Sequence, residues 1–406
     1  MRTLEIALFL LSTLDGASRM RLSEHRPNWI SVIPVLAFIV WISHAASEGL
    51  RWQMIPVYGV VLYTFTITFV RAFKTDHTSA DPTLSRLGGG VIVGLSILSM
   101  TAATAMPVYT LPSPLGDYSV GRRAILLDHL TLGVHYPTDA SSSQNTAAYS
   151  ESERTQLQTT LSDRFRLPTA FLGHLDLIAT ETQTDAGLSE ELPRYRVLIE
   201  QPDAAHTAAY TLSLVEDLAS RGFIVITVTP VTDTKAPTAE EVVERLESLD
   251  PTGSDGWLAD RMDLGRVGLF GFGEAESIVR AAESGSFRAA AVVGAYSGHR
   301  EATLPVLYLS SEGDANVSAG GQSVTYVCTV RGALSENFND FGYVTPFMPI
   351  LGAFGSIDPA RAGRITRSYL GAFFNKHLTR GTVEPLLDGP TDDFPEVAIH
   401  IHDPRE

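Results

Sequence analysis

The sequence predicts a membrane-helical N-terminal part followed by an α/β domain with a mostly parallel sheet. Two observations lead to this fold class. Three apolar runs of nearly bilayer-spanning length follow one another within residues 1–106. Beyond them, short apolar strand-like runs alternate with amphipathic helical patterns, which is typical of a parallel sheet covered by helices on both faces.

The membrane part begins with a weak apolar run and continues with three strong ones. The strong runs approach the roughly 20 residues that a span needs, and they are residues 29–46, 54–70 and 88–106. The weak run, residues 4–14, carries Glu5 and is followed by Asp15. It fits a short span, an interfacial helix or a signal-like segment. We therefore predict a transmembrane domain of three or four helices over residues 1–106.

Loop charges predict the orientation of these helices. The connections at 15–28 and 71–87 each carry three Lys or Arg residues, whereas the connection at 47–53 carries only Arg51. The positive-inside rule places the first two connections in the cytoplasm. The rest of the chain is then extracytoplasmic, and periplasmic in a Gram-negative bacterium, with the helices in the inner membrane.

Two features of the spans suggest contacts in the membrane. Small residues in the last span can let helices approach closely, either within the protein, against a partner subunit, or in a homodimer through Gly90 and Gly94; this predicted packing face is Gly90, Gly94, Ser99 and Ala103. Ionisable residues also cluster where a span ends, and we expect them to snorkel to the interface rather than to form a functional site; they are His44, Glu48 and Arg51.

Composition excludes several classes of function. Of 30 Lys/Arg and 46 Asp/Glu, residues 1–106 hold eight and six, so 22 basic and 40 acidic residues remain in 107–406, a net charge of −18. A domain this acidic repels nucleic acid. The single cysteine, Cys328, lies in a strand-like run and is expected to be a buried core thiol. No Gly-rich phosphate loop, zinc pattern or haem motif is present, so no cofactor is expected.

The α/β part is predicted to follow a connector at 107–124 and to occupy residues 125–406. A Ser/Thr/Gln-rich stretch at 139–160 reads as a surface loop. The strand-like runs are residues 131–137, 195–200, 223–229, 266–270, 288–294, 305–310 and 324–330. The helical patterns between and after them are residues 208–221, 238–249, 274–284 and 360–378.

One strand leads into a sharp turn whose central residue is unusual. The turn reads Gly271-Phe272-Gly273-Glu274-Ala275 before a helical pattern. A Gly-x-Ser-x-Gly turn in this context is the nucleophile elbow of an α/β-hydrolase, and its serine is the nucleophile. Here that position holds Gly273, so we predict an elbow that lacks its nucleophile.

Several segments carry a family resemblance. They are residues 116–121 (GDYSVG), 134–137 (VHYP), 217–225 (DLASRGFIV), 258–271 (LADRMDLGRVGLFG) and 369–378 (YLGAFFNKHL). Over most of residues 115–397 the chain resembles the plasma-type platelet-activating-factor acetylhydrolase family and related bacterial α/β-hydrolases. Some bacterial relatives also carry N-terminal spans, with a segment similar to residues 44–53 (HAASEGLRWQ). The resemblance implies an α/β-hydrolase fold.

At the positions where the family carries its catalytic groups, this sequence departs from it. The elbow serine corresponds to Gly273, the acid to Gly294, and the histidine to Ser335 within the otherwise matching run 331–341 (RGALSENFNDF). The family's oxyanion-side His-Gly reads Pro202-Asp203, and Pro202 has no N–H to donate. The resemblance therefore implies a degenerate triad and no catalytic residue.

Other residues could carry chemistry, and each has a plainer interpretation. Glu274 could act as nucleophile or base, but helix capping is the default. Ser335 would need a nearby base, and the sequence offers none in register. Solvated or hydrogen-bonded structural roles are the default for the scattered histidines, namely His135, His206 and His299. The tail residues 400–403 (HIHD) look metal-like, but an ordinary surface strand is the default.

The lead hypothesis is a membrane-anchored pseudoenzyme. It predicts a catalytically inactive α/β-hydrolase-like protein that serves as a structural or scaffolding subunit beside integral membrane partners, in a respiratory or photosynthetic complex for example. The alternatives are a membrane-bound lipid or ester hydrolase with a rearranged site, and a module that binds a lipid or acyl ligand in the vacated pocket. Function resides in the site rather than in the fold. The loss of the catalytic groups at Gly273, Gly294 and Ser335 therefore favours the pseudoenzyme over these alternatives.

Overall fold

The chain forms two compact units. The computed structural model describes residues 1–22, 27–73, 82–127, 130–139, 146–166, 168–201, 210–230, 237–297, 302–313, 321–344, 352, 354–379 and 383–405. The first unit comprises Met1–Tyr109 and Arg166–Leu177, and the second comprises Thr110–Phe165 and Ile178–Glu406. The sequence predicted that all of residues 125–406 belong to the α/β domain. The structure differs, because Arg166–Leu177 belongs to the helical unit.

The described residues of the first unit form four α-helices: α1 (Thr3–Arg21), α2 (Val32–Ser47), α3 (Ile55–Phe73) and α4 (Pro82–Ala105). Short 3-10 turns precede α2 and α3, at Asn28–Ser31 and Trp52–Met54. Among the described residues, three helical stretches are long and apolar enough to cross a membrane, namely Trp29–Ser47, Trp52–Phe73 and Thr83–Ala105. The three strong apolar runs are confirmed as such helices by length and composition, while α1 extends the weak run to 19 residues.

The predicted packing face on α4 does not exist as a single face. A Cβ added to Gly90 or Gly94 would meet no described atom within 4 Å, whereas Ser99 and Ala103 are fully buried. Nine residues make about two and a half turns at 3.6 residues per turn, so the two glycines point away from Ser99 and Ala103. The close helix approach uses Gly89 instead, whose added Cβ would lie 2.5 Å from the carbonyl oxygen of Gly16 on α1.

The segment grouped with the helices, Arg166–Leu177, contains a 3-10 helix at Thr169–Leu177. Its Leu172 and Leu175 are buried. The indole nitrogen of Trp52 donates a hydrogen bond to the Phe171 carbonyl oxygen at 3.0 Å, and the two rings stack 4.6 Å apart. These contacts with the turn that precedes α3 explain why the segment belongs to the first unit.

The second unit contains twelve strands among its described residues: β1 (Ser119–Leu127), β2 (Leu130–Thr138), β3 (Thr146–Ala147), β4 (Ala179–Thr180), β5 (Gln183–Thr184), β6 (Tyr195–Glu200), β7 (Phe223–Pro230), β8 (Met262–Glu274), β9 (Phe287–Ser297), β10 (Val306–Ser311), β11 (Thr325–Val330) and β12 (Val397–His402). Its helices are α5 (Glu151–Phe165), α6 (Leu212–Ser220), α7 (Ala239–Glu247), α8 (Gly256–Ala259), α9 (Ala275–Ser284) and α10 (Pro359–Leu378).

Ten strands form one sheet in the order β12-β11-β10-β9-β8-β6-β7-β2-β1-β5. The strands β6 to β11 pair in parallel, and β2 and β12 flank them in antiparallel pairing. Apolar side chains from α7 and α9 pack on one face, and those from α6 and α10 on the other. The mostly parallel sheet covered on both faces is therefore confirmed.

Several local predictions differ from the structure. Part of the predicted connector 107–124 is strand, because β1 begins at Ser119 and pairs with β2. Residues 151–160 of the predicted surface loop belong to α5. The Ser150 and Glu153 side chains each accept a hydrogen bond from the other residue's backbone N–H, which is a capping box. Leu157 and Leu161, one turn apart, are buried and hold the helix against the domain.

Candidate functional site

The strand β8 ends in the turn that the sequence marked as an elbow. Gly271 is tightly enclosed, since an added Cβ would lie 2.9 Å from the side chains of Gln201 and Ile278. Gly273 has φ of +97°, a left-handed conformation that glycine adopts without a Cβ penalty. Helix α9 then begins at Ala275, so the strand-turn-helix geometry of an elbow is present.

The three predicted triad positions come together in the structure. Phe272 on β8 pairs in register with Val293 on β9, and the register shifts just after this pair, at the turn that contains Gly273. Gly294 has φ of +61°, and a Cβ added to it would lie 3.3 Å from the carbonyl oxygen of Ser335. All three positions line one pocket of about 290 Å³.

The pocket contains charged and polar groups that the sequence analysis did not single out. It is lined by Arg164, Phe272, Gly273, Val293, Gly294, Ser335, Glu336 and Asn339. The guanidinium of Arg164, from α5, forms an ion pair with the buried carboxylate of Glu336. The amide of Asn339 donates to the same carboxylate at 2.8 Å. Glu336 and Asn339 lie within the run 331–341, and the capping box of α5 was the available signal for the helix that brings Arg164.

The lining determines what chemistry the pocket can perform. Acyl transfer needs a nucleophile, a base that takes its proton, and a group that orients the base. Among the described lining residues there is no histidine, lysine or cysteine. Ser335 offers a hydroxyl, but the nearby carboxylate of Glu336 is engaged by Arg164 and Asn339. Among the described lining residues, the candidate reacting groups are therefore the Ser335 hydroxyl and an ion-paired carboxylate.

Other predicted site residues lie elsewhere or are not described. Pro202, Asp203, His206 and His299 lie outside the residues that the structure describes. Glu274 occupies the N-cap of α9 and is exposed, but its side chain makes no capping hydrogen bond, so the capping role is only positional. His400 and His402 lie on β12 at the edge of the sheet, paired with β11, as an ordinary strand would be.

His135 does not have the solvated or hydrogen-bonded role that the sequence predicted for it, whereas Cys328 is buried as predicted. His135 is 1% exposed on β2, and neither ring nitrogen has a hydrogen-bond partner among the described residues. Burial lowers the pKa of His135 to about 3, so the ring is neutral. Cys328 is fully buried, as predicted, and burial raises the pKa of its thiol. Neither residue lines the pocket.

In the helical unit, Glu5, His44 and Glu48 bring potential ligand atoms within 4.8 Å of one another. The Glu5 carboxylate forms ion pairs with Arg2 at 2.8 Å and Arg51 at 2.7 Å. Glu48 contacts Arg2 and His44. Two guanidinium groups beside the carboxylates disfavour a bound cation, so we interpret the group as an ion-pair network.

A buried acid away from the pocket provides a test of pH dependence. Glu216 on α6 is 1% exposed and accepts a hydrogen bond from the Thr180 hydroxyl at 2.7 Å. Burial raises the pKa of Glu216 from 4.5 to about 7. The folded state thus binds a proton that the unfolded state releases, so this group's stabilising effect is complete below pH 4.5 and is lost as the pH rises to about 7.

We expect Glu216→Gln to be more stable than the wild type at pH 8, by up to about 3 kcal/mol, and to lose this advantage at pH 4.5. The measurement is the midpoint of thermal unfolding at both pH values. Glu244→Gln, at an exposed position in the middle of α7, is the matched control and should leave the midpoint nearly unchanged. Equal pH dependence of wild type and Glu216→Gln would contradict the prediction.

Comparison with solved structures identifies the fold. The chain matches the structure of a ferulic acid esterase from Streptomyces cinnamoneus with a TM-score of 0.53 and 21% sequence identity, over 72% of this chain and 99% of that chain. The fold is of the α/β-hydrolase type. At this identity the likeness establishes the fold and no activity. No family model matches the chain, and the search of curated proteins finds no match.

Proposed function

We propose that the protein is a catalytically inactive, membrane-anchored α/β-hydrolase-like subunit that scaffolds a larger membrane protein complex. The observation that carries the proposal is the convergence of Gly273, Gly294 and Ser335 on one pocket. A misaligned register would scatter these positions over the domain. Their meeting supports the interpretation that they are the vacated places of a nucleophile, an acid and a histidine, as in the acetylhydrolase family that the sequence resembles.

Physical chemistry supports inactivity in two ways. In a comparable triad, loss of the nucleophile or the base alone costs on the order of 10⁶ in turnover, and here both groups are absent from their positions. Glycine at φ of +97° also relieves the backbone strain that a side chain would suffer in the elbow. A fold retained without this strain fits a structural role.

The pocket lining bears on the two alternatives. A hydrolase with a rearranged site would need a base for Ser335, and the ion-paired Glu336 is poorly suited to that role. An acyl ligand would have to lie against the Arg164–Glu336 ion pair and the Asn339 amide. These polar groups disfavour an apolar chain, and we therefore prefer scaffolding to ligand binding.

The helical unit offers a surface for a partner subunit. Gly90 and Gly94 have open space around them, and the neighbouring α4 side chains Leu87, Val91 and Leu98 are more than half exposed. Small residues on an open helix face permit close packing of a second transmembrane helix. Loop charges favour an extracytoplasmic second unit, which would cover the partner's outer face.

Co-purification tests the scaffold. We expect the full chain, extracted from its native membranes in mild detergent, to migrate with integral membrane partners at fixed stoichiometry. Gly90→Ile/Gly94→Ile should reduce the bound partner at least about tenfold, because bulky side chains prevent close packing. Gly88→Ile is the control and should retain the partner, because Gly88 also has open space around it but lies two residues from Gly90, on another side of α4. Wild type migrating as a monomer would refute scaffolding, and a complex of identical chains would indicate a homodimer instead.

A further inference from the structure

Helix α1 has its polar and apolar sides reversed relative to a helix in water. Its exposed apolar side chains in the first four turns are Ile6, Leu10 and Leu14, at 45%, 66% and 54% exposure. Its buried side chains include Glu5, Ser12, Asp15 and Ser18, all at 8% exposure or less. A helix on a protein surface in water, or lying in a membrane interface, presents its polar side outward. The surroundings of α1 are therefore expected to be hydrocarbon.

The acidic residues of α1 are neutralised inside the helical unit. Glu5 is fully buried and paired with Arg51, whose side chain is 1% exposed, at 2.7 Å. Asp15 pairs with Arg19, one turn further along, at 2.9 Å. Hydropathy alone treats these acids as exposed charges and so underestimates how well α1 fits a bilayer. Charged residues in spanning helices usually face the bundle interior and are paired, as they are here.

Hydrogen bonds show which end of α1 lies beside which helix end. The Arg2 guanidinium donates to the carbonyl oxygen of Glu48 and, at 3.0 Å, to that of Gly49, just after α2. Arg51 donates to the Met106 carbonyl oxygen, just after α4, at 2.9 Å. The start of α1 and the ends of α2 and α4 therefore lie at one end of the bundle.

The rest of α1 runs the length of the bundle. Its Gly16 meets Gly89 near the start of α4, and Leu8 and Phe9 pack against α3 and α4 in a shared core. At 1.5 Å per residue the 19 residues of α1 extend about 28 Å, close to the roughly 30 Å of a bilayer's hydrocarbon core.

We infer that α1 is a fourth membrane-spanning helix that presents Ile6, Leu10 and Leu14 to lipid acyl chains. Met1 and the start of the second unit at Thr110 then emerge on the same side of the membrane. This inference decides among the alternatives that the sequence left open for residues 4–14. It depends on the membrane placement in the proposed function, but not on catalytic inactivity or on a partner.

The prediction that His44 snorkels to the membrane interface is wrong. His44 is fully buried and hydrogen-bonded to Glu48 at 2.9 Å and to Tyr58 at 2.7 Å.

Cysteine accessibility tests the topology. In a Cys328→Ala background of the full chain, single cysteines replace Thr3, Leu22 and Thr252, all exposed positions. A membrane-impermeant maleimide is applied to intact cells and to lysed cells. We expect Thr3→Cys and Thr252→Cys to label from the same side, and Leu22→Cys from the other. Labelling of Thr3→Cys and Leu22→Cys from one side would show that α1 does not cross, and opposite labelling of Thr3→Cys and Thr252→Cys would also overturn the inference.

A spin label measures lipid contact independently. Nitroxides at Leu10, Leu98 and Thr252 are compared in vesicles for collision with oxygen, which concentrates in hydrocarbon, and with a water-soluble nickel chelate. We expect oxygen to dominate at Leu10 and Leu98 and nickel at Thr252. If collisions with the nickel chelate dominate at Leu10 while collisions with oxygen dominate at Leu98, the fourth span is refuted but the membrane placement of α4 is not. If collisions with the nickel chelate dominate at both Leu10 and Leu98, the membrane placement in the proposed function is refuted as well.

Discussion

Arg51→Ala is expected to destabilise the helical unit by up to about 3 kcal/mol, because it removes one of the two guanidinium groups that pair with the buried Glu5 carboxylate. Arg51 is 5% exposed and pairs with the fully buried Glu5. It also donates to the Met106 carbonyl oxygen beyond α4. Its loss therefore leaves the Glu5 carboxylate paired with Arg2 and removes the Arg51 donor from the carbonyl oxygen at the end of α4. The measurement is unfolding in mixed micelles with increasing SDS, followed by tryptophan fluorescence.

Two variants separate the ion pair from a general effect of losing charge. Arg71→Ala removes an exposed arginine from the last turn of α3 and should change stability by less than about 1 kcal/mol. Glu5→Leu/Arg51→Leu removes both charges and should recover much of the loss, because apolar replacement of a buried pair is often neutral. A double variant no more stable than Arg51→Ala would show that the pair is not the source of the effect.

The core of the fold could be predicted from the sequence because its signals are local. The strands β6 to β11 are buried on both faces, so they read as continuous apolar runs such as 223–229 and 305–310. Helices α7 and α9 carry their apolar residues at helical spacing on one side. Glycines mark the elbow itself, since Gly271 permits close packing and Gly273 adopts a left-handed conformation.

The missed features depend on contacts between distant residues or on a weak local signal. The Glu5–Arg51 pair makes α1 compatible with lipid, but a hydropathy window does not detect pairing across helices. The Arg164–Glu336 pair likewise joins segments far apart in the chain. Helix α5 was predicted as a loop because its sequence is rich in Ser, Thr and Gln, although Ser150 and Glu153 have the spacing of a capping box. The packing face predicted on α4 is wrong for a simpler reason: helical spacing places Gly94 and Ser99 on different sides of the helix.

Restoring all three vacated positions should produce a reactive serine that no single change produces. In Gly273→Ser/Gly294→Asp/Ser335→His, we expect fluorophosphonate labelling at least about tenfold faster than in wild type, because nucleophile, acid and base act as a unit. Gly294 has φ of +61°, a conformation that Asp tolerates better than most residues. Serine at Gly273 has a strain cost of about 1–3 kcal/mol. Folding should therefore be checked by thermal unfolding before reactivity is compared.

The matched control is Gly273→Ala/Gly294→Asp/Ser335→His, which carries the same changes and similar strain but has no nucleophile at the elbow. It should remain as unreactive as wild type, and each single variant should do the same. A folded triple variant that stays silent would contradict the expectation that these three positions alone restore reactivity, even though they share a pocket. Labelling of the wild-type chain, abolished by a single substitution such as Ser335→Ala, would instead refute inactivity, because it would show that the existing site supplies its own nucleophile.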